Sequence, residues 1–384
     1  MTEPADAIPI DVLVVGGGIQ GLWVLRQLEA TKEEEKRSAL LVQRPRAGEV
    51  QSLHNQGFIY QGYFYARQSR VAKAMLEVSE AWSVLFQDLE ISPVPNALLV
   101  TRDDRFLARW RRLGLSTNLP RQVLESGDVA WKTPEGVVPD LGELRKGLWA
   151  RYAEKVRVGE VGSLADWSPG DLVRIQAASE EVFHVRPESI VLAAGRENDA
   201  LLESAGREPA DDLGDWAVFG VALRPLKEAA IPKSRLWIQE GLGIARPPSD
   251  PKVWVSSIQV KASEGWRAGA RVQMRGLLSR RVEQEQGLRL SDYEYLPYCS
   301  DCWPALDRGG PGYQLVSRDA LHAIWPTRLT LAPAAALRVV EALPPAKHPD
   351  QQSFPGSPKP PPSQEYWRTS WADRWESYAD FYGL

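Results

Sequence analysis

One stretch near the start of the sequence, DVLVVGGGIQG at residues 11–21, constrains the fold more than any other. The apolar run at 12–15 is typical of a buried parallel strand, and leucines recur at helical spacing after it. Between them stand Gly16, Gly18 and Gly21, in G-x-G-x-x-G spacing. Such glycines allow a tight turn, close approach of the backbone to a diphosphate, and close packing of helix on strand. The stretch predicts a dinucleotide site; a glycine-rich packing turn is the alternative.

Length, charge and cysteine content exclude several classes of protein. A chain of 384 residues is long enough for two domains. The net charge of −4 gives no basic field for nucleic acid. Two cysteines exclude a disulfide scaffold and indicate the reducing cytoplasm. The acidic first ten residues lack the basic region of a signal peptide, and no stretch is long and apolar enough to span a membrane.

The end of the predicted second strand, ALLV at 39–42, departs from the usual pattern of a nucleotide-binding unit. An Asp or Glu commonly stands there and holds the adenosine ribose. Here Gln43 and Arg44 occupy the position. Gln43 forms hydrogen bonds without charge, and Arg44 has the chemistry to stack on adenine or to meet a phosphate. The departure weakens the expected contact with the sugar.

The rest of the chain alternates helical and extended patterns. The pattern predicts helices at 67–88, 102–113, 141–156 and 268–284. The short alternating strands between 216 and 260 indicate an antiparallel or mixed sheet, and so a second domain. Near the end, Thr330 is a possible N-cap of a helix that carries Pro333 in its first turn.

Four separated stretches resemble the D-amino-acid-oxidase (DAO) superfamily of FAD-dependent oxidoreductases. They are VVGGGIQG at 14–21, SLHNQGFIYQG at 52–62, IVLAAG at 190–195, which reads as a buried strand, and WPTRLTLAP at 325–333. The resemblance implies an α/β fold, in which a doubly wound, Rossmann-type FAD-binding domain carries an inserted α+β substrate domain of mixed or antiparallel sheet. It places residues 8–90, 135–205 and 300–345 in the FAD-binding domain, and residues 91–134 and 206–299 in the substrate domain.

The resemblance also implies which residues hold FAD. The three glycines would bind the diphosphate, and the helix start at 327–330 would stabilise the negative charge of the reduced flavin. His54 resembles a histidine that is bonded covalently to flavin in the dimethylglycine-dehydrogenase branch; a simple hydrogen bond is the alternative. The implied cofactor-binding residues are Gly16, Gly18, Gly21, Gln43, Arg44, Ser52, His54, Asn55, Gly57, Val161, Ala194, Gly195, Thr327, Arg328, Leu329 and Thr330.

Two residues are candidates for the catalytic side of the site. Tyr60 belongs to a tyrosine cluster that either lines the substrate face or packs between domains. Arg224 either clamps a substrate carboxylate through its planar guanidinium or forms a surface salt bridge. The C-x-x-C at 299–302 is a redox pair, half a zinc site or a chance pairing, and we expect no metal site.

The end of the chain, residues 344–384, is predicted to hold two further elements. A Pro-rich linker is predicted at 344–365, followed at 366–384 by an aromatic amphipathic helix. This helix either packs back on its own domain or docks on a protein partner.

The predicted function is the oxidation of a small amine or amino acid by hydride transfer to FAD. A FAD-dependent 2-hydroxy-acid dehydrogenase is the close alternative. A non-catalytic flavoprotein-like subunit with a docking tail is the alternative of a different class.

Overall fold

The chain divides by its packing into two units. The computed structural model describes residues 7–31, 36–44, 57–101, 104–123, 129–208, 216–227, 236–239, 242–245, 252–261, 263–284, 288–303, 312–326, 328–348, 354–355 and 375–384. Unit 1 comprises Met1–Ser52, Glu143–Leu213 and Gly312–Ser363. Unit 2 comprises Leu53–Gly142, Gly214–Pro311 and Gln364–Leu384.

Strands and helices alternate in the first half of the chain, as the sequence predicts. The strands are β1 (Ile8–Val15), β2 (Ala39–Gln43), β3 (Ile59–Tyr60), β4 (Val94–Thr101), β5 (Arg121–Val123), β6 (Val129–Val138), β7 (Val156–Val161), β8 (Val173–Ala177), β9 (Val182–Leu192), β10 (Trp216–Pro225), β11 (Leu236–Gln239), β12 (Leu242–Ala245), β13 (Trp254–Lys261), β14 (Tyr293–Trp303), β15 (Tyr313–Arg318) and β16 (Leu321–Pro326). The α-helices are α1 (Ile19–Glu29), α2 (Ser69–Glu77), α3 (Ser79–Asp88), α4 (Asp104–Arg112), α5 (Leu141–Arg151), α6 (Asn198–Ser204), α7 (Trp266–Leu278), α8 (Ala332–Ala342) and α9 (Tyr378–Tyr382).

Unit 1 is built on a parallel sheet. β1 pairs in parallel with β2 on one side and with β9 on the other, while β7 and β16 extend the sheet beyond them. β8 pairs antiparallel with both β7 and β9, and β15 closes the far edge as a hairpin with β16. β1 is buried along nearly its whole length, because a strand covered on both faces needs a continuous apolar run. The α/β class is confirmed.

Two details of unit 1 differ from the sequence predictions, and a third agrees with them. The IVLAAG stretch is not a strand to its end: β9 begins at Val182 and stops at Leu192, after which the chain turns. Thr330 is not an N-cap, because a 3₁₀ turn at Leu329–Leu331 precedes α8 and Leu331 takes the cap position. Pro333 lies in the first turn of α8, as predicted.

Described residues of the Pro-rich segment form hydrogen bonds with the rest of unit 1. The backbone N–H groups of Lys347 and His348 donate to the buried carboxylate of Asp11, at 2.7 and 3.2 Å. Phe354 is buried, and its carbonyl accepts a hydrogen bond from Arg157. Backbone donors of this segment thus satisfy a carboxylate that strand β1 buries, and the linker over 344–365 stays a prediction.

Unit 2 contains antiparallel sheets, as the alternating strands predict. A five-stranded sheet has the order β11–β12–β13–β10–β14, and a second sheet has the order β3–β6–β4, with β5 paired to β6. Helix α7 packs through Ala270, Met274 and Leu278 on the larger sheet. It starts and ends close to the predicted 268–284, since a π-helical turn continues it to Gln284.

The unit boundaries fall at other places than those implied by the family resemblance. The implied boundary after residue 134 lies inside β6, and the one after residue 299 lies inside β14. Residues 57–90 lie in unit 2, because β3 pairs with β6 and Tyr63 packs on Trp110.

The described C-terminal residues form one helical turn packed on unit 2. α9 covers only Tyr378–Tyr382, and Glu376 precedes it in a β-bridge with Tyr295. The long helix predicted for 366–384 is therefore wrong at 375–377, and residues 356–374 lie outside the described residues. Phe381 is fully buried and stacks on Tyr295, with ring centroids 4.4 Å apart. Among the described residues, no helix is long and apolar enough to cross a membrane.

Candidate functional site

The glycine turn lies at the carboxyl edge of the parallel sheet in unit 1. Gly16 has φ of +116°, and a Cβ there would stand 2.5 Å from the carbonyl oxygen of Ala193. Gly18 takes the N-cap position of α1, and no side chain caps that helix. A Cβ on Gly21 would stand 1.9 Å from the carbonyl oxygen of Gly16. These contacts explain why the turn needs glycine. Because no side chain caps α1, the backbone N–H groups at its N-terminus are suited to bind an anion.

Gln43 supports the turn from β2. Its Oε1 accepts a hydrogen bond from the N–H of Gly17 at 2.6 Å, and its Nε2 donates to the carbonyl of Arg44. The side chain is buried, so this amide stabilises the turn itself. Arg44 forms an ion pair with Glu197 at 2.6 Å, and both side chains are about half-exposed.

The turn after β9 is held by a side chain that the sequence analysis did not single out. Asn198 is fully buried. Its Oδ1 accepts from the N–H of Ala194 at 2.8 Å, and its Nδ2 donates to the carbonyl of Ile324 at 2.9 Å. Asn198 thus joins the ends of β9 and β16. Gly195 has φ of +63°, which lets the chain turn away from the sheet.

Arg145 is the second residue that the sequence analysis missed. It lies on α5 and is 6% exposed, and its Nε stands 3.4 Å from the carbonyl oxygen of Gly17. Burial lowers the pKa of its guanidinium to about 10. A signal for this residue exists in the sequence, because a charge stands at one position of an otherwise apolar helical stripe. The buried positions of that stripe are Leu141, Leu144, Arg145, Leu148 and Trp149.

The chemistry of this edge fits the diphosphate of a dinucleotide. Backbone N–H groups, a helix N-terminus and a buried cation meet at one turn, and each favours bound anionic oxygen. Arg145 Nη2 is buried and has no hydrogen-bond partner in the described part of the chain, as expected for a donor whose acceptor is a ligand.

Four further implied cofactor residues of unit 1 lie at defined places. Val161 ends β7, next to β2 in the sheet. Arg328 and Leu329 stand at the 3₁₀ turn before α8, with Thr330 fully buried behind them. Their contact with FAD stays a prediction. Four implied residues lie outside the described part of the chain: Ser52, His54, Asn55 and Thr327. A covalent link to His54 therefore stays a prediction.

Gly57, which is implied to bind the cofactor, and the two residues implied for the substrate side belong to unit 2. Gly57 has φ of +70° and leads into β3, which carries Tyr60. The ring of Tyr60 packs on three other rings, with centroid distances of 5.1 Å to Tyr65, 5.4 Å to Phe58 and 5.8 Å to Phe64. Tyr60 and Phe64 are half-buried, while the other two rings are buried. We call these four residues the aromatic cluster.

Arg224 is already engaged at the end of β10. Its Nη2 and Nε lie 2.6 and 2.9 Å from Oε2 of Glu294, and its guanidinium stands 4.3 Å from the ring centroid of Trp375. The side chain is about two-fifths exposed. Of the two roles that the sequence left open, the salt bridge is the one seen here. A clamp on a substrate carboxylate stays a prediction.

Within the described part of the chain, no group of three or more His, Cys, Asp or Glu residues is placed to hold a metal ion. Cys299 and Cys302 both lie on β14.

Comparisons with known proteins agree with this geometry. Residues 11–262 match the family model described as DAO, FAD dependent oxidoreductase. A protein of Pseudomonas aeruginosa that is named a probable FAD-dependent oxidoreductase is 24% identical over 413 residues. That alignment covers 96% of this chain and 100% of the relative.

Solved structures show the same fold. The crystal structure of a FAD dependent oxidoreductase from Pseudomonas aeruginosa has a TM-score of 0.66 at 20% identity, and the match covers 97% of this chain and 100% of that one. The structure of iminodiacetate oxidase from Chelativorans sp. BNC1 has a TM-score of 0.62 at 16% identity, and the match covers 91% of this chain and 100% of that one. The structure of glycine oxidase from Geobacillus kaustophilus has a TM-score of 0.60 at 15% identity, and the match covers 88% of this chain and 95% of that one.

Proposed function

Because the chain belongs to the DAO family of FAD-dependent oxidoreductases, we propose that it oxidises a small amine or amino acid. The carbon next to the nitrogen would give up a hydride and the nitrogen a proton, which leaves an imine. FAD is the cofactor, and when bound it supplies the hydride acceptor. The protein's own part is to hold the cofactor, orient the substrate and exclude water.

The residues of unit 1 would hold the cofactor. The glycine turn at Gly16 and Gly18, with the N-terminus of α1, offers backbone N–H groups to the diphosphate. Asn198 fixes the neighbouring turn after β9 through its two hydrogen bonds. The 3₁₀ turn before α8 would present backbone N–H groups to the flavin, where they stabilise negative charge.

The aromatic cluster of unit 2 is the observation that carries the choice of substrate. Its two half-buried rings, Tyr60 and Phe64, are nearly parallel, with an angle of 18° between them. Aromatic faces attract cationic and partly positive nitrogen, and they enclose small alkyl groups. The names of two proteins of this fold, a glycine oxidase and an iminodiacetate oxidase, support the same substrate class.

Anaerobic reduction of the bound flavin tests the proposal. The FAD-loaded protein is mixed with a panel of small amines, amino acids and 2-hydroxy acids, and loss of the flavin absorption band is followed in time. We expect reduction by members of the amine and amino-acid set. Reduction by 2-hydroxy acids alone would replace the proposal with the dehydrogenase alternative, and a flavin that no member reduces would refute the substrate class.

A pair of variants links the activity to the aromatic cluster. Tyr60→Leu removes a half-buried ring of the cluster, and we expect it to lower kcat/KM for the best amine by about 2- to 30-fold, since such rings contribute about 0.5 to 2 kcal/mol each. Tyr378→Leu is the matched control, because Tyr378 is also half-buried in unit 2 but lies in α9. Equal losses in both variants would mean that Tyr60 acts only through the stability of the unit.

Three further predictions belong to this proposal. Arg224 would bind a substrate carboxylate by exchanging Glu294 for it, and Arg224→Lys would then raise KM for amino acids but not for amines.

The low cysteine content supports a cytoplasmic location. Docking of the C-terminal tail on a partner protein would have to leave Phe381 in place, because unit 2 buries that ring.

A further inference from the structure

The guanidinium of Arg145 combines a used and an unused donor beside the glycine turn. Its Nε faces the carbonyl oxygen of Gly17 at 3.4 Å. Its Nη2 has no hydrogen-bond partner among the residues that the structure describes, although the side chain is only 6% exposed. Both nitrogens belong to one planar group, so the unused donor also lies close to the turn.

The charge of Arg145 is compensated only in part by the protein. The guanidinium carbon stands 5.3 Å from the ring centroid of Trp149, which gives a cation–π contact. Among the described residues, no carboxylate pairs with it, and burial is what lowers its pKa. With a pKa of about 10 the group still carries its charge at neutral pH. A buried cation without a counter-ion is strongly destabilising, and a bound anion would remove that penalty.

We propose that Arg145 binds the diphosphate of FAD and supplies the positive charge of this site. The inference rests on the assignment of FAD as the cofactor. The neighbouring side chain of Gln43 agrees with this proposal. Gln43 is neutral, and its Oε1 already accepts a hydrogen bond from the N–H of Gly17, so it adds no positive charge at the turn. The planar fork of an arginine matches two phosphate oxygens at once.

A second buried arginine of unit 1 shows what a purely structural arginine looks like. Arg157 is 3% exposed, and its Nε and Nη1 donate to carbonyl groups at 2.6 to 3.0 Å. The acceptors are the carbonyls of Ala153, Val156, Phe354 and Pro355. Arg157 therefore has its acceptors within the protein, whereas Arg145 has one donor left over.

The test compares ligand affinity with the stability of the apoprotein. Dissociation constants of the full-length apoprotein are measured for FAD, for ADP and for riboflavin, which lacks the diphosphate. We expect Arg145→Met to weaken the binding of FAD and of ADP by about 10- to 100-fold and to leave the affinity for riboflavin unchanged. Arg145→Lys should lose less affinity for FAD and ADP, because lysine keeps the positive charge but lacks the planar fork of donors. The apoprotein of Arg145→Met should melt at or above the wild-type temperature, since an unpaired buried charge is gone.

Arg157→Met is the control, and we expect the opposite result from it. Its apoprotein should melt at a lower temperature, while the folded fraction binds FAD with wild-type affinity. The proposal is overturned if Arg145→Met and Arg145→Lys both bind FAD as the wild type does, or if Arg145→Met weakens riboflavin as much as ADP. A wild-type protein that binds ADP but not FAD would refute the cofactor assignment and leave the diphosphate contact supported; one that binds neither would refute both.

Discussion

Gly21 shows at the scale of one residue how the glycine turn depends on backbone packing. A Cβ added there would stand 1.9 Å from the carbonyl oxygen of Gly16. That oxygen belongs to the backbone at the end of β1, so it cannot move aside as a flexible side chain would. Gly276 on α7 is different, because a Cβ there would meet nothing within 4 Å.

We expect opposite effects from the same substitution at these two helical glycines. Gly21→Ala should destabilise the apoprotein by about 1–3 kcal/mol or more through overpacking, and it should weaken FAD binding by displacing the turn. Gly276→Ala should stabilise by about 0.5–1 kcal/mol, because alanine loses less backbone entropy in a helix. Urea unfolding of both apoproteins, with FAD titrations, checks the pair. A Gly21→Ala protein of wild-type stability and FAD affinity would show that the close packing is not needed.

At the scale of the element, strand β16 carries a buried histidine. His322 is 2% exposed, and its Nδ1 lies 2.9 Å from Oγ of Ser317. Its Nε2 is buried without a hydrogen-bond partner among the described residues. Burial lowers the pKa of His322 below its ordinary value, since the interior disfavours the charged ring.

This histidine makes the stability of unit 1 depend on pH in a defined direction. The unfolded chain takes up the proton near pH 6.5, whereas the folded protein does so only at lower pH. The free energy of unfolding is therefore unaffected by this histidine above about pH 6.5. It decreases as the pH falls from there toward the pKa of the folded protein, by at most about 1.4 kcal/mol per pH unit. Denaturant unfolding between pH 5 and 8, with His322→Leu as the comparison, measures this slope. An unchanged slope in the variant would assign the effect to other groups.

The sequence predicts elements well where one local pattern decides them, and less well where a partner decides them. β1 and the glycine turn follow from an apolar run and three glycines, and both are confirmed. The end of β9 at Leu192 was missed, because the hydrogen bonds of Asn198 set the turn and Asn198 is not part of any apolar pattern. Arg145 is not predicted for a different reason: a helical pattern over α5 does not by itself show which of the charges on that helix falls on the buried stripe.

At the scale of the whole molecule, residues near the end of the chain complete each unit. Asp11 of β1 accepts hydrogen bonds from Lys347 and His348, which lie more than 300 residues away in the sequence. In unit 2 the ring of Phe381 fills the space beside Tyr295. No local pattern encodes such pairings, which is why the sequence alone does not predict these contacts of the Pro-rich segment and of the tail.

The C-terminal turn should therefore be part of the core of unit 2. Phe381 is fully buried, and the guanidinium carbons of Arg271 and Arg275 lie 4.9 and 5.6 Å from its ring centroid. Phe381→Ala removes the stacked ring and leaves a cavity, for which we expect a loss of about 3–5 kcal/mol in the free energy of unfolding. Leu384→Ala, at a residue that is 84% exposed, should change it by about 0.5 kcal/mol or less. Urea unfolding followed by tryptophan fluorescence measures both. If the two variants unfold alike, the tail does not belong to the core, and its aromatic side chains are available to a partner protein.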